Sequence, residues 1–361
     1  MPAGVPLTAL TAGQPVTITQ IHMFDAAVGW GIGYQRIGES HILRTADGGE
    51  TWQDASPPVG DSLLFDPAAL FQDAQSAWAA YPIEVGHLPL VWRTSDGGIS
   101  WSGAPLPVGT DAELFDPSFF ALDGNQIWLL VTTGAGMQHA YSDLFTSLDG
   151  GLSWERLADP FMDGASDLML FPHTGMAFKG ATGWVTKENG VMDGIYWAAS
   201  SDGGSTWMAQ TPPPPAGGNV MCSTYAPVLF SPDAGAYLTV CWDYQADTRH
   251  AYFTAVENGQ TQFVPLPVVV GGLQFFSPQQ GLAFGCWNYQ LPDPLACQIL
   301  STGDGGQTWT HVKTVNWDGD FWFADPQNGW AVARNGAEMA LVRTVDGGLT
   351  WQLLHPIVTA P

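Results

Sequence analysis

The 361-residue chain carries 34 Asp and Glu against 10 Lys and Arg, a formal net charge of -24. Polyanions are thereby excluded as partners, because a nucleic-acid binder needs a basic stripe that displaces counterions from phosphate. With 45% hydrophobic residues the chain can build a large core, yet no apolar run reaches the roughly 18 residues of a spanning helix.

The opening "MPAGVPLTAL" lacks the charged and apolar blocks of a signal peptide, so any leader is expected to have been removed. Gly (43), Pro (27) and Trp (17) are frequent and no long segment repeats every 3.6 residues, which reads as all-β. The first strands are expected at Val16–Phe24, Val28–Tyr34, His41–Thr45 and Thr51–Ala55, with "RTADGGETW" turning the third into the fourth. That phrase returns with Asp96, Asp149, Asp202, Asp304 and Asp346 in the place of Asp47, each with Ser or Thr two residues before and Trp five residues after. A second phrase precedes each by about 16 to 21 residues: "FDAAVGW", "FQDAQSAW", "ALDGNQIW", "FKGATGW", "FSPDAGAY", "FSPQQGLA" and "FADPQNGW". The fifth copy is followed only by the degenerate "TAVENGQTQF".

Seven units follow, at about 15–58, 62–107, 111–160, 165–215, 219–266, 268–312 and 315–355, each of four antiparallel strands. Units of this kind form blades, since arrangement in a ring removes exposed sheet edges. The expected fold is one seven-bladed β-propeller domain over residues 1–361, with the N-terminal "VPLTALTAG" adding a strand to the last blade. In each DGG turn the glycines accept positive φ, the Asp carboxylate accepts backbone amides, and the Trp lays an apolar surface between sheets. The six carboxylates are therefore read as structural.

The pattern [ST]-x-D-G-G-x-[ST]-W resembles the Asp-box, or BNR repeat, of sialidase-type propellers. Its coupling to an upstream F-x-D-x-x-x-G-W phrase is similar to the photosystem II stability/assembly factor family and its bacterial relatives. The resemblance spans about residues 15 to 355 and implies that the boxes are scaffold, lying on the side away from the usual binding face. That family's Arg-rich patch is not matched here.

Function is therefore sought in the loops opposite the boxes. Blade 5 carries "CWDYQADTRH" and blade 6 "CWNYQLPDPLAC", so Trp242, Asp243, Tyr244, Arg249, Trp287, Asn288 and Tyr289 form a candidate patch in which rings stack on a ligand beside amides and charges. Trp317, Arg36 and Arg334 complete the candidate ligand-binding set. Further loop residues are Tyr34, Glu39, Glu84, His87, His139, Tyr141, Lys187, Glu188, Asp193, Asp318, Asp320 and Trp322. The alternative to a ligand site is duplicated core packing.

A sialidase needs an arginine cluster, and only Arg36, Arg249 and Arg334 lie outside the box strands and the residues just after the boxes. A glycosidase of endoglucanase type needs two acids, for which Asp243 with Asp320, or Asp163 with Asp193, are candidates. No metal-ligand spacing, C-x-x-C, nucleophile elbow or phosphate loop appears, so neither metal nor cofactor is expected. The four cysteines crowd into one third of the chain; Cys222 with Cys241 and Cys286 with Cys297 are expected to bridge, the alternatives being Cys241 with Cys286 and four free thiols. Bridges would place the protein in an extracellular, periplasmic or cell-surface setting. The resulting expectation is a non-catalytic bacterial binding module for a protein or glycan; the competing class is a carbohydrate-active enzyme.

Overall fold

The computed structural model describes residues 7–59, 66–82, 88–109, 114–136, 139–166, 172–188, 194–215, 220–286 and 296–360. Among them there is no α-helix. The first sheet holds β1 (Thr17–Met23), β2 (Gly29–Tyr34), β3 (His41–Thr45) and β4 (Thr51–Asp54). The second holds β5 (Ala68–Phe71), β6 (Ala77–Ala80), β7 (Leu90–Thr94) and β8 (Ser102–Pro105). The third holds β9 (Phe115–Ala121), β10 (Ile127–Gly136), β11 (His139–Ser147) and β12 (Glu155–Ala158). The fourth holds β13 (His173–Lys179), β14 (Thr182–Lys187), β16 (Trp197–Ser200) and β17 (Met208–Gln210), while the intervening β15 (Gly194–Ile195) crosses to the fifth. The fifth holds β18 (Val220–Ser231), β19 (Ala234–Asp243), β20 (Thr248–Glu257) and β21 (Gln260–Leu266). The sixth holds β22 (Val269–Phe275), β23 (Gly281–Cys286), β24 (Cys297–Thr302) and β25 (Thr310–Val315). The seventh holds β26 (Asp318–Phe323), β27 (Gly329–Asn335), β28 (Glu338–Thr344) and β29 (Gln352–Leu353).

Seven four-stranded antiparallel blades are thus present, the seven-bladed β-propeller class that the repeats predict. The seventh sheet draws all its strands from Asp318–Leu353, and no N-terminal strand joins it among the described residues. A C-terminal strand, β30 (Ile357–Val358), instead runs parallel to β4 on the edge of the first sheet.

The chain divides into two compact units, Met1–Glu113 with Leu148–Trp154 and Trp317–Pro361, and Leu114–Ser147 with Glu155–Asn316. In the first unit, Trp52 packs with Leu43 of its own sheet and with Trp330, Val332 and Leu341 of the seventh. In the second, Trp207 packs with Trp128, Leu130 and Leu144 of the third sheet, and its ring meets Phe178 edge-on at 6.0 Å.

The DGG hairpins repeat one hydrogen-bond set. Thr45 Oγ1 donates to Asp47 Oδ1 at 3.0 Å and accepts from Gly49 N at 3.0 Å, while the Thr51 amide and hydroxyl donate to the two Asp47 oxygens at 2.9 and 2.6 Å. The same arrangement holds Asp96, Asp202, Asp304 and Asp346, and Ser153 donates both bonds to Asp149. Ser100's hydroxyl and amide hold the Asp96 carboxyl down to about 2.

The acid of the upstream phrase fixes a turn of its own, with Asp25 Oδ1 accepting the amides of Ala27 and Val28, each at 2.7 Å. That turn offers Ala27 O to Gly48 N at 2.8 Å, and the same bond recurs from Gly97 to Gln75, Gly203 to Ala181, Gly305 to Gln279 and Gly347 to Gln327. Gly48 sits at φ +81, and a Cβ there would meet Arg343 Nη1 at 2.6 Å and Ala26 O at 2.8 Å, so no side chain fits. Its carbonyl accepts Trp330 Nε1 at 2.8 Å, as Gly150 accepts Trp78 and Gly203 accepts Trp128.

Removing a buried box indole deletes its packing and the bond that ties it to its own turn, such as Trp207 Nε1 to Gly204 O at 2.8 Å. Trp207→Ala is expected to cost about 3 to 5 kcal/mol in urea unfolding, and the half-buried Trp101→Ala clearly less. A second outcome concerns pH. His22 lies stacked on Trp322 at 3.9 Å, close to Phe24 and Phe71, and burial lowers its pKa to about 4. The unfolded chain therefore binds a proton near 6.5 that the folded chain refuses until about 4, so stability falls as pH drops through that window. His22→Phe is expected to remove about 3 kcal/mol of this loss, read from unfolding at pH 7 and pH 4.

Candidate functional site

In the fifth sheet, β19 and β20 pair Trp242 with Arg249 directly across the strands. The Arg249 guanidinium lies 5.9 Å from the Trp242 ring centroid, close enough for cation–π attraction. Tyr244, 40% exposed, meets Trp242 edge-on at 6.1 Å. The turn between them is fixed from within: Asp243 Oδ1 accepts the amides of Gln245 and Ala246 at 2.9 Å, and Asp247 accepts Trp242 Nε1 at 3.3 Å. Asp243 thus shapes the loop.

The disulfide Cys222–Cys241 joins β18 to β19 immediately before Trp242, and Cys286–Cys297 joins β23 to β24. Both pairings are those expected. Beside Arg249, at the same end of the sheet, a groove of about 460 Å³ is lined by His250, Tyr252, Pro265 and Pro267. Two rings, a guanidinium and an open groove therefore meet at the end of the fifth sheet opposite its Asn258–Gly259 turn.

The remaining candidates scatter. Trp287, Asn288, Tyr289, Glu84, His87 and Asp193 lie outside the described residues, as does the side chain of His139. Trp317 is buried, edge-on to Trp351 at 5.4 Å, and so belongs to packing. Trp322 donates to Met23 O at 2.8 Å, and Lys187 is fully buried. Arg36 is exposed, 4.0 Å from Glu39, and Arg334 pairs with Asp320 at 2.7 Å. Of the acids paired in the glycosidase reading, Asp243 is engaged by amides, Asp320 by Arg334, and Asp163 is exposed. Tyr34 is half-buried, Glu188 is exposed, and Asp318 accepts the Gly319 amide at 2.8 Å.

One cluster escaped the sequence reading. Arg156 Nε lies 3.3 Å from Asp143 and its Nη1 lies 3.5 Å from Asp159. Burial raises the Asp143 carboxyl above the usual range, the Arg156 charge opposing and the Asp159 charge reinforcing that shift. Tyr141 stacks nearby on Phe161 at 5.7 Å, and Phe161 is 79% exposed. An Arg directly after a box Trp looked like part of the repeat; only its i,i+3 spacing to Asp159 hinted at more.

No protein-family model matches the chain, and no curated protein matches it in sequence. Solved structures resemble it in fold. A puromycin-hydrolysing peptidase of Mycobacterium tuberculosis aligns with TM-score 0.61 and 12% identity over 98% of this chain and 56% of its own. A PL25 ulvan lyase, solved bound to a GlcA–Rha3S saccharide, aligns with TM-score 0.52 and 14% identity over 80% and 81%. The β-propeller domain of the trilobed protease from Pyrococcus furiosus aligns with TM-score 0.53 and 6% identity over 94% and 98%. At such identities the likeness establishes the β-propeller fold and nothing finer.

Reduction provides a check on the candidate hairpin. The bridges close separations of 19 and 11 residues, so each is expected to contribute about 3 kcal/mol on the chain-entropy model, lost in urea unfolding when reductant is added. Titration of the denatured, unreduced protein should find no thiol.

Proposed function

We propose that the protein is a non-catalytic binding propeller of the Asp-box type that takes a glycan or protein ligand at the blade ends opposite the DGG turns, outside the cytoplasm. The observation that carries this reading is the Trp242–Arg249–Tyr244 arrangement, whose Arg249 also lines an open groove, with its neighbouring carboxylates consumed by the turn. Rings and a guanidinium suit stacking and hydrogen bonding to a sugar or an aromatic-rich loop. Six copies of the [ST]-x-D-G-G-x-[ST]-W pattern support the Asp-box kinship. Two disulfides support an oxidising compartment; among the described residues no helix is long and apolar enough to cross a membrane.

A second reading, glycoside hydrolysis, is favoured by the Asp143 carboxyl, raised above its usual range beside the Tyr141–Phe161 rings, since a general acid needs a raised pKa. The fold shared with an ulvan lyase does not decide between the two.

A polysaccharide binding screen run with a reducing-sugar release assay tests both. The expected outcome is binding without release, weakened about tenfold or more by Trp242→Ala, the equivalent of about 1.4 kcal/mol. Release of sugar abolished by Asp143→Asn would instead establish the enzyme. Silence in both assays would leave the protein-ligand form of the proposal, checked by co-purification of a partner that Trp242→Ala loses.

A further inference from the structure

Box indoles fill the gaps between neighbouring sheets. Trp101 packs with Trp30 and Ile32 of the first sheet, Trp52 with Trp330 of the seventh, Trp207 with Trp128 of the third, and Trp309 with Leu238 and Phe253 of the fifth. In each instance the Trp of one blade closes the space toward the preceding blade.

The fifth blade has no such Trp. Gly235, five residues after Phe230 as Gly29 is after Phe24, pairs with Val256 as Gly29 pairs with Thr45, and Val256 pairs with Thr261, which sets Thr261, facing the fourth sheet, in the place of Trp52. The wide DGG loop is replaced by a two-residue Asn258–Gly259 turn, with φ +49 and +75, closed by the Glu257–Gln260 pair. Both positive angles fit a type I′ hairpin. On the facing strand of the fourth sheet, Ala199 stands where the first, second and seventh sheets place Arg44, Arg93 and Arg343.

The consequence is a slot of about 680 Å³ between the fourth and fifth sheets, within the range of small-molecule sites. Trp184, Trp197 and Phe263 supply aromatic surface, and Gln210, Asn258 and Gln260 supply polar groups. Behind the slot, the Trp197 and Tyr237 rings lie 5.5 Å apart and hold the Trp197 indole in the wall.

We propose that this slot is a binding site for a planar aromatic ring of indole size. The molecule itself shows which shape such a gap takes, since equivalent gaps hold an indole between flat apolar walls. The site lies at the opposite end of the fifth sheet from Trp242, and the proposal is independent of the function assigned there.

The test uses the whole chain and a fluorinated indole observed by fluorine NMR. Wild type is expected to bind it saturably, with Kd in the millimolar range or tighter. Thr261→Trp, which returns an indole to the slot from the edge strand, is expected to weaken binding about tenfold or more and to raise the unfolding midpoint; Phe263→Ala is expected to weaken binding about tenfold while the protein stays folded. Should Thr261→Trp not fold, Phe263→Ala decides alone. The proposal fails if wild type shows no saturable binding up to about 10 mM, or if the folded variants bind as wild type does.

Discussion

The first glycine of each DGG turn is the joint on which the architecture depends. In five of the six turns its N–H is bound to the upstream turn of its own blade, and in three its C=O receives the indole N–H of the preceding blade. One peptide unit thus fixes the position of the outer hairpin within a blade and the spacing between two blades. Arg343 adds to the same joint, its guanidinium 5.1 Å from Trp330 and bonded to Ala26 O at 3.0 Å. Because that glycine sits at positive φ in all six turns, the sequence spells Gly whatever else drifts, and Asp, Thr and Trp follow from the need to hold the turn rigid.

That constraint explains how much of the fold was legible. Two phrases separated by a variable stretch recur because their backbone atoms meet, so the sequence displays both ends of a hydrogen bond. Strand bounds such as His41–Thr45 follow directly from the spacing. The closing strand was not legible. "VPLTALTAG" and the C-terminal "HPIVTA" are similarly short and apolar, and only the register of β4 with Ile357 and Val358 shows which one pairs.

The candidate site was legible in part, for a corresponding reason. Trp242 and Arg249 lie seven residues apart across a hairpin whose turn is named by Asp243 and Asp247, so local pattern sufficed to bring them together. Trp317 misled because it directly precedes a strand, where loop and core residues look alike; its burial depends on Trp351, 34 residues later. The Asp143–Arg156–Asp159 group joins two strands around a box and was masked by the repeat. Degeneracy in the fifth blade was visible in the letters, whereas the slot it leaves is a matter of volume, which no periodicity records.

The pairing of β30 with β4 has a kinetic side. The edge of the first sheet is built from residues near 51, yet its neighbour comes from residues 357 and 358, and Pro15 bridges Ile357 as well. During synthesis the first blade therefore emerges with an open edge that stays unpaired while the following six are made. An unpaired edge is a template for the wrong strand, and contacts of such long sequence separation form slowly. The final seam of the molecule is the last to be sewn, and its delay gives the nascent chain a long interval in which other chains compete for that edge.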